Sequence, residues 1–266
     1  MADSGFQAKV FTDPCGRLIR LPHIPARIVS LVPSQTELLY DLGLGERLVG
    51  ITKYCIHPSQ ARKEKTIVGG TKNFDVRTIL DLRPDLVIGN KEENYKEGIV
   101  SLSRHTPVWM SDIYDLEDAL SMIRAVGYIT GTEDRSQKLT HEIHCAFQQI
   151  KRAASLRVLY LIWKKPWMAA GAMTFINSML AQIGLENVLA SVRYPEISEY
   201  QIRALSPDVI MLSSEPFPFK ERHINELMAI SPASKVMLVD GEMFSWYGSR
   251  LRFSADYFNS LDLSRL

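Results

Sequence analysis

The chain lacks any apolar run of the roughly 20 residues that a membrane-spanning helix needs, and it holds three cysteines in 266 residues. The first absence excludes a helical membrane protein. The second excludes a disulfide scaffold, because Cys15, Cys55 and Cys145 cannot all pair and none sits in a C-x-x-C spacing for zinc or redox chemistry. Three reduced thiols in a reducing compartment are expected. An excess of one charge sign is missing as well: 31 basic against 30 acidic residues leave a net charge of +1, so no global field draws in nucleic acid or an anionic membrane. The opening MADSGFQAKVFTDPCGRL has no basic stretch followed by an apolar one. A cytoplasmic location is therefore expected, with a periplasmic or lipid-anchored one as the alternative if a leader has been removed. No G-x-S-x-G elbow, H-E-x-x-H helix, kinase phrase or phosphate-binding glycine loop occurs, and GGTKN at Gly69–Asn73 matches the last only weakly. Hydrolase and nucleotide-enzyme readings lose their main support.

What the sequence does contain is a phrase written twice. LRPDLVIGNKEEN begins at Leu82 and LSPDVIMLSSEPF at Leu205. In each, a leucine ends a helical run, Pro-Asp makes a turn, an apolar run of strand length follows, and a polar loop carries a glutamate. The surrounding segments repeat too: RIVSLV from Arg27 matches RVLYLIW from Arg157, and TELLYDLGLGERLV matches TFINSMLAQIGLENVL. Continuous apolar strands alternating with helices predict two parallel-sheet α/β lobes. A hairpin precedes them, in KVFTDPCGRLIRLP around the turn Asp13-Pro14-Cys15-Gly16. Between the lobes, Leu139, Ile143, Ala146, Phe147 and Ile150 keep helical spacing, which predicts one connecting helix of about 20 residues, some 30 Å long. The expected division is 1–131 for the first lobe, 132–155 for the helix and 156–266 for the second lobe.

Ligands of open α/β sheets sit beyond the carboxyl ends of the strands. In the first lobe those loops carry Tyr54, Thr71, Lys72 and Asn90; in the second they carry Trp163, Trp167, Glu215, Trp246, Tyr247 and Arg250. Aromatics in polar loops suit a bulky, partly apolar ligand, and they equally suit packing of each lobe's rim. Trp109, inside PVWMS, reads as core. A bare metal ion would need three or four converging ligands; His57, Glu92, Glu93, Glu215 and Glu242 are available without any specific pattern, and His141, His144 and Cys145 lie on the connecting helix. No catalytic residue and no resident metal or cofactor is assigned.

The ordered set of hairpin, RIVSL-P, VGGTKNFDVRTILDLRPDLVIGN and RALSPDVIMLSS resembles, over nearly the whole chain, the cobalamin and ferric-siderophore substrate-binding proteins of ABC importers. This is the helical-backbone metal receptor group, and the likeness is greatest to its cobalamin-binding type. The resemblance implies two Rossmann-like lobes joined by one long backbone helix, the class III periplasmic-binding-protein fold, with a metal chelate held in the cleft between the lobes. It implies a non-enzymatic monomer that clasps a corrinoid between aromatics, matched here by Tyr54 and by Trp163 or Trp167, with Trp246 in the last loop. Docking on an ABC permease would use acidic residues at the lobe tips, here Asp75, Glu196 and Glu199. A ferric siderophore or haem is the alternative ligand. The rival classes are a tetrapyrrole-modifying enzyme using residues such as His57 and Asp240, and a direct metal-ion binder.

Overall fold

The computed structural model describes residues 9–152 and 156–263. The expected hairpin forms from β1 (Lys9–Thr12) and β2 (Leu18–Leu21), paired antiparallel. Asp13 closes its turn: the buried carboxylate accepts from the N–H groups of Cys15 and Arg17 and, at 2.6 Å, from the Arg17 guanidinium, while Gly16 takes a φ of +75° that other residues resist.

From there the chain runs through β3 (Ile28–Ser30), α1 (Pro33–Asp41), β4 (Leu48–Ile51), α2 (Ala61–Glu64), β5 (Thr66–Ile67), the small pair β6 (Gly69–Gly70) and β7 (Asn73–Phe74), α3 (Val76–Asp81), β8 (Leu86–Asn90), α4 (Lys96–Ser103) and β9 (Val108–Ser111). A five-stranded sheet in the order β5-β4-β3-β8-β9 results, parallel throughout. Every residue of β8 and of β9 is buried, Trp109 among them, which is why these strands are written as unbroken apolar runs. Two helices follow, α5 (Leu116–Thr130) and α6 (Glu133–Gln148).

The second sheet uses β10 (Arg157–Trp163), β11 (Trp167–Ala169), β12 (Glu186–Asn187), β13 (Glu196–Ile197), β14 (Val209–Ser213) and β15 (Lys235–Val239). Around it lie α7 (Phe175–Gln182), α8 (Glu199–Leu205), α9 (Glu221–Ile230), α10 (Gly241–Ser245) and α11 (Leu251–Ser260). β10, β14 and β15 are parallel, as expected, and β11 and β13 add an antiparallel edge. The edge arises because the chain doubles back between Trp163 and Trp167, with Lys165 at a φ of +67° ahead of Pro166.

Two compact units result. The first comprises Met1–Ile113, Glu117–His141 and Tyr247–Arg250, and the second Tyr114–Leu116, Glu142–Trp246 and Leu251–Leu266. The division thus falls within α6 and not at its ends, and the chain re-enters the first unit at Tyr247. The helix itself is 16 residues long, about 24 Å, shorter than expected. It stops because the Gln149 and Ile150 N–H groups tighten to the carbonyls three residues back. The expected end of the helix, 153–155, lies outside the described residues. Leu139, Ile143 and Phe147 form its buried stripe.

The repeated phrase builds the same clamp in both units. In the first, the Asp85 carboxylate accepts from the Ala26 and Arg27 N–H groups at 2.9 Å, and the Arg27 guanidinium donates to the Leu82 carbonyl at the end of α3. In the second, Asp208 accepts from the Arg157 N–H at 2.7 Å while Arg157 donates to the Leu205 and Ser206 carbonyls at the end of α8. The residue before each proline, Arg83 or Ser206, turns the chain with a φ of +46° or +44°. A helix C-terminus and the start of a central strand are thus fastened by one arginine and one aspartate. These bonds are solvent-exposed, so each clamp contributes modestly, about 1–2 kcal/mol. Asp85→Ala and Asp208→Ala are each expected to lower the melting temperature of the affected unit by about 2–8 °C, measurable by scanning calorimetry.

Candidate functional site

In the first unit, the carboxyl ends of β3, β8 and β9 and the β6–β7 turn are held by a buried amide network. Gln35 Nε2 and Asn90 Nδ2 both donate to Ser111 Oγ, at 2.6 and 3.0 Å. Asn90 Oδ1 accepts from the Glu92 and Glu93 N–H groups. Asn94 ties the loops together, accepting from Asn90 N and donating to the Leu31 and Thr71 carbonyls. Asn90 is therefore buried and shapes the loop from inside. Thr71 is held through its carbonyl, and Lys72 reaches back to the Glu92 carbonyl at 2.6 Å. Tyr54, in the loop after β4, is 51% exposed, with the Lys53 ammonium 5.0 Å from its ring centroid. Gly70 leaves room for both, since a Cβ there would meet the Tyr54 ring at 3.1 Å and the Lys53 stem at 3.4 Å.

Two other expected site residues are structural anchors in this unit. Arg250 makes a two-pronged ion pair with Glu37 on α1, at 2.6 and 2.9 Å, both side chains being largely buried. Tyr247 is buried and donates to the Glu93 carboxylate. Burial first, and the Glu93 charge second, push its phenol well above the ordinary tyrosine value.

The second unit gathers an aromatic cluster at the carboxyl ends of β10 and β14. Trp163 is 39% exposed and stands edge-to-face on Phe217, 5.6 Å between centroids. Phe217 in turn packs on Phe219 at 4.7 Å, and Phe219 lies parallel to Trp167. Trp167 is buried, under the Lys164 ammonium, which pairs with Glu226. Trp246, only 6% exposed, donates its indole N–H to Glu215 Oε1, which also accepts from Ser245 Oγ. Trp163 is thus the tryptophan of this rim that offers a face, and Trp167 and Trp246 hold the rim in place. Reading the sequence missed Phe217. The signal was there, in the aromatic and proline alternation of the EPFPF loop after β14. Reading the sequence also missed Tyr114, whose ring lies 5.7 Å from the guanidinium of Arg193, which donates to the Met173 carbonyl.

The remaining candidates are dispersed. Asp75 caps α3 by accepting from Thr78 N, and that bond holds its exposed carboxyl below the usual carboxylate range; Glu196 and Glu199 are exposed around the start of α8. Asp240 caps α10. His144 bonds to Gln148 along α6. Among the described residues no three of His, Cys, Asp and Glu converge as a metal site, so His57, Glu92, Glu93, Glu215 and Glu242 do not form one. Cys15, Cys55 and Cys145 form no disulfide. No helix among the described residues is long and apolar enough to cross a membrane.

This arrangement can be set against known proteins. The profile of the family described as "Periplasmic binding protein" matches residues 28–230. The chain belongs to that family. This periplasmic binding protein is similar to the vitamin B12-binding protein of Pectobacterium carotovorum subsp. carotovorum, 24% identical over 241 residues that cover 87% of this chain and 86% of that one. Among solved structures it resembles the periplasmic vitamin B12-binding protein BtuF of Vibrio cholerae, with a TM-score of 0.77, 22% identity and coverage of 89% and 96%. It also resembles the periplasmic heme-binding protein RhuT from Roseiflexus sp. RS-1, with a TM-score of 0.74, 23% identity and coverage of 88% and 97%. The two-lobed α/β architecture expected from the repeat is the class III fold of these proteins.

Burial raises the Glu215 carboxyl above its ordinary value, with Glu242 and Asp240 adding to the shift. A carboxyl whose folded pKa is raised supports the fold while protonated and loses that contribution as pH rises through the raised value. Glu215→Gln keeps an acceptor for Ser245 and Trp246 and cannot ionise. Its stability relative to the native chain should be constant in acid and should improve as pH passes from the carboxylate range through the raised pKa. Urea denaturation between about pH 4 and 8 reads this, and a pH-independent difference contradicts it.

Proposed function

We propose that this periplasmic binding protein is a non-enzymatic receptor for a metal chelate, with cobalamin or a related corrinoid as first candidate. The observation that carries the reading is the pair of exposed aromatic faces, Tyr54 in the first unit and Trp163 in the second, each at the carboxyl end of a parallel strand. Each face is backed by structure that does not depend on ligand: Lys53 and Gly70 beside Tyr54, and the Phe217–Phe219–Trp167 cluster beside Trp163. Flat rings set in polar rims suit a macrocycle whose faces are apolar and whose edges are polar. Relatives named vitamin B12-binding protein favour the corrinoid. The likeness to a heme-binding protein keeps haem as the second ligand to test, with a ferric siderophore third.

In this reading Thr71 and Lys72 supply polar contacts at the rim, while Asn90, Trp167, Glu215, Trp246, Tyr247 and Arg250 hold the loops that present the site. The receptor acts as a monomer. It delivers its chelate to an ABC permease through Glu196 and Glu199, whose carboxylates are exposed, and through Asp75, whose carboxylate also caps α3. Whether it does so as an exported protein is the part that cell fractionation decides: the family's description is periplasmic, whereas three unbridged cysteines suit a cytosolic pool.

Absorbance and calorimetric titrations against cobalamin, haem and ferric siderophores test the reading. One chelate should bind in a 1:1 complex. Loss of a stacking face is worth about 1–3 kcal/mol, so Tyr54→Ala and Trp163→Ala should each weaken binding by about tenfold or more at 1.4 kcal/mol per decade, with little loss of stability. Failure of every chelate to bind, or unchanged affinity in both variants, contradicts it.

A further inference from the structure

The hairpin at the start of the first unit has no part in chelate binding as proposed above, yet it borders a groove. About 360 Å³ of space lies between β2 and the segment that runs from the end of α4 into β9. On one side are Leu18 and Arg20, on the other Ser103, His105 and Val108. Arg17 fixes the two sides together, bonding Asp13 at 2.6 Å and the Val108 carbonyl at 2.9 Å, so its charge is already neutralised.

The register of the hairpin defines what the groove offers. Thr12 lies opposite Leu18 and Val10 opposite Arg20, and Asp13 N donates to the Arg17 carbonyl. In an antiparallel pair, successive residues alternate between facing the partner strand and facing away with their N–H and C=O groups. Counting from Arg17, Ile19 and Leu21 bond towards β1, and Leu18 and Arg20 present their backbone groups on the opposite edge. No hydrogen bond from another part of the described chain reaches those groups. Leu18 is 76% exposed, and the Arg20 side chain is exposed too. An unpaired strand edge beside a groove is the template on which an extended peptide adds a strand.

We propose that the outer edge of β2 is a docking site for an extended acidic peptide segment of a partner. Charge decides the occupant. No acidic residue lines the groove, while Arg20 and His105 face it and Arg104 stands exposed next to it. A second copy of this chain would bring a groove lined by the same residues, with no carboxylate to pair with Arg20. An added strand places residues i and i+2 on one face, so its recognition pattern is an apolar side chain beside Leu18 and a carboxylate beside Arg20.

The test uses the full chain and a blocked, fluorescein-labelled peptide of sequence Thr-Val-Thr-Glu-Thr-Val-Thr-Glu, followed by anisotropy, with hydrogen exchange at the Leu18 and Arg20 amides. Saturable binding is expected, with slowed exchange at both amides. Replacing glutamate by lysine in the peptide should weaken binding at least tenfold, and Arg20→Glu in the protein should do the same while leaving chelate affinity and melting temperature unchanged. A peptide N-methylated at alternate residues cannot pair with the edge and should not bind. Absence of binding overturns the proposal. So does equal binding of the N-methylated peptide, or displacement of the peptide by millimolar inorganic phosphate, since either would mean attraction to surface charge without strand pairing.

Discussion

The hydrogen-bonded clamp between the arginine at the start of β3 or β10 and the Pro-Asp turn after α3 or α8 recurs once in each unit, and it sets the sheet that carries each site. Arg27 with Asp85, and Arg157 with Asp208, fasten a helix C-terminus to the amino end of a central strand. With the amino ends pinned, the parallel strands β3 and β8, and likewise β10 and β14, start in register and run in the same direction. Their following loops therefore open on one side of each sheet. Asn90 ends β8 and Trp163 ends β10, Glu215 and Phe217 follow β14, and Tyr54 follows β4, which pairs with β3.

This is also why so much of the fold was legible. The clamp needs the same residue types in the same order, so the phrase had to be written twice, and buried parallel strands had to be written as unbroken apolar runs. The antiparallel edge of the second sheet was less legible, because β11 and β13 are only three and two residues long and depend on a tight reversal at Lys165-Pro166. Least legible was the return of Tyr247–Arg250 to the first unit. Nothing near Tyr247 in the sequence names Glu93 or Glu37, which are more than 150 and 200 residues away, so their bonds are invisible to any local pattern.

The site was legible at the level of loops and only partly at the level of residues. Aromatics at strand ends were the correct signal for where to look, but periodicity does not tell an exposed face from a buried one. Trp163 and Trp167 lie four residues apart, and the antiparallel turn between them leaves the first exposed and buries the second. Trp246 and Tyr247 are neighbours, yet the indole is fixed by Glu215 in the second unit and the phenol by Glu93 in the first. A carboxylate next to a buried aromatic N–H or O–H satisfies a polar group that burial would otherwise leave costly. These acidic residues thus serve the shape of the rim before any ligand arrives.

A crystal structure of the protein grown with the chelate that it binds most tightly tests the central claim most directly. The account predicts the macrocycle against the ring face of Tyr54 or of Trp163, with Trp167, Trp246 and Tyr247 each keeping the contacts described within its own unit. A chelate bound elsewhere on the molecule, with Tyr54 and Trp163 both in solvent, would contradict it.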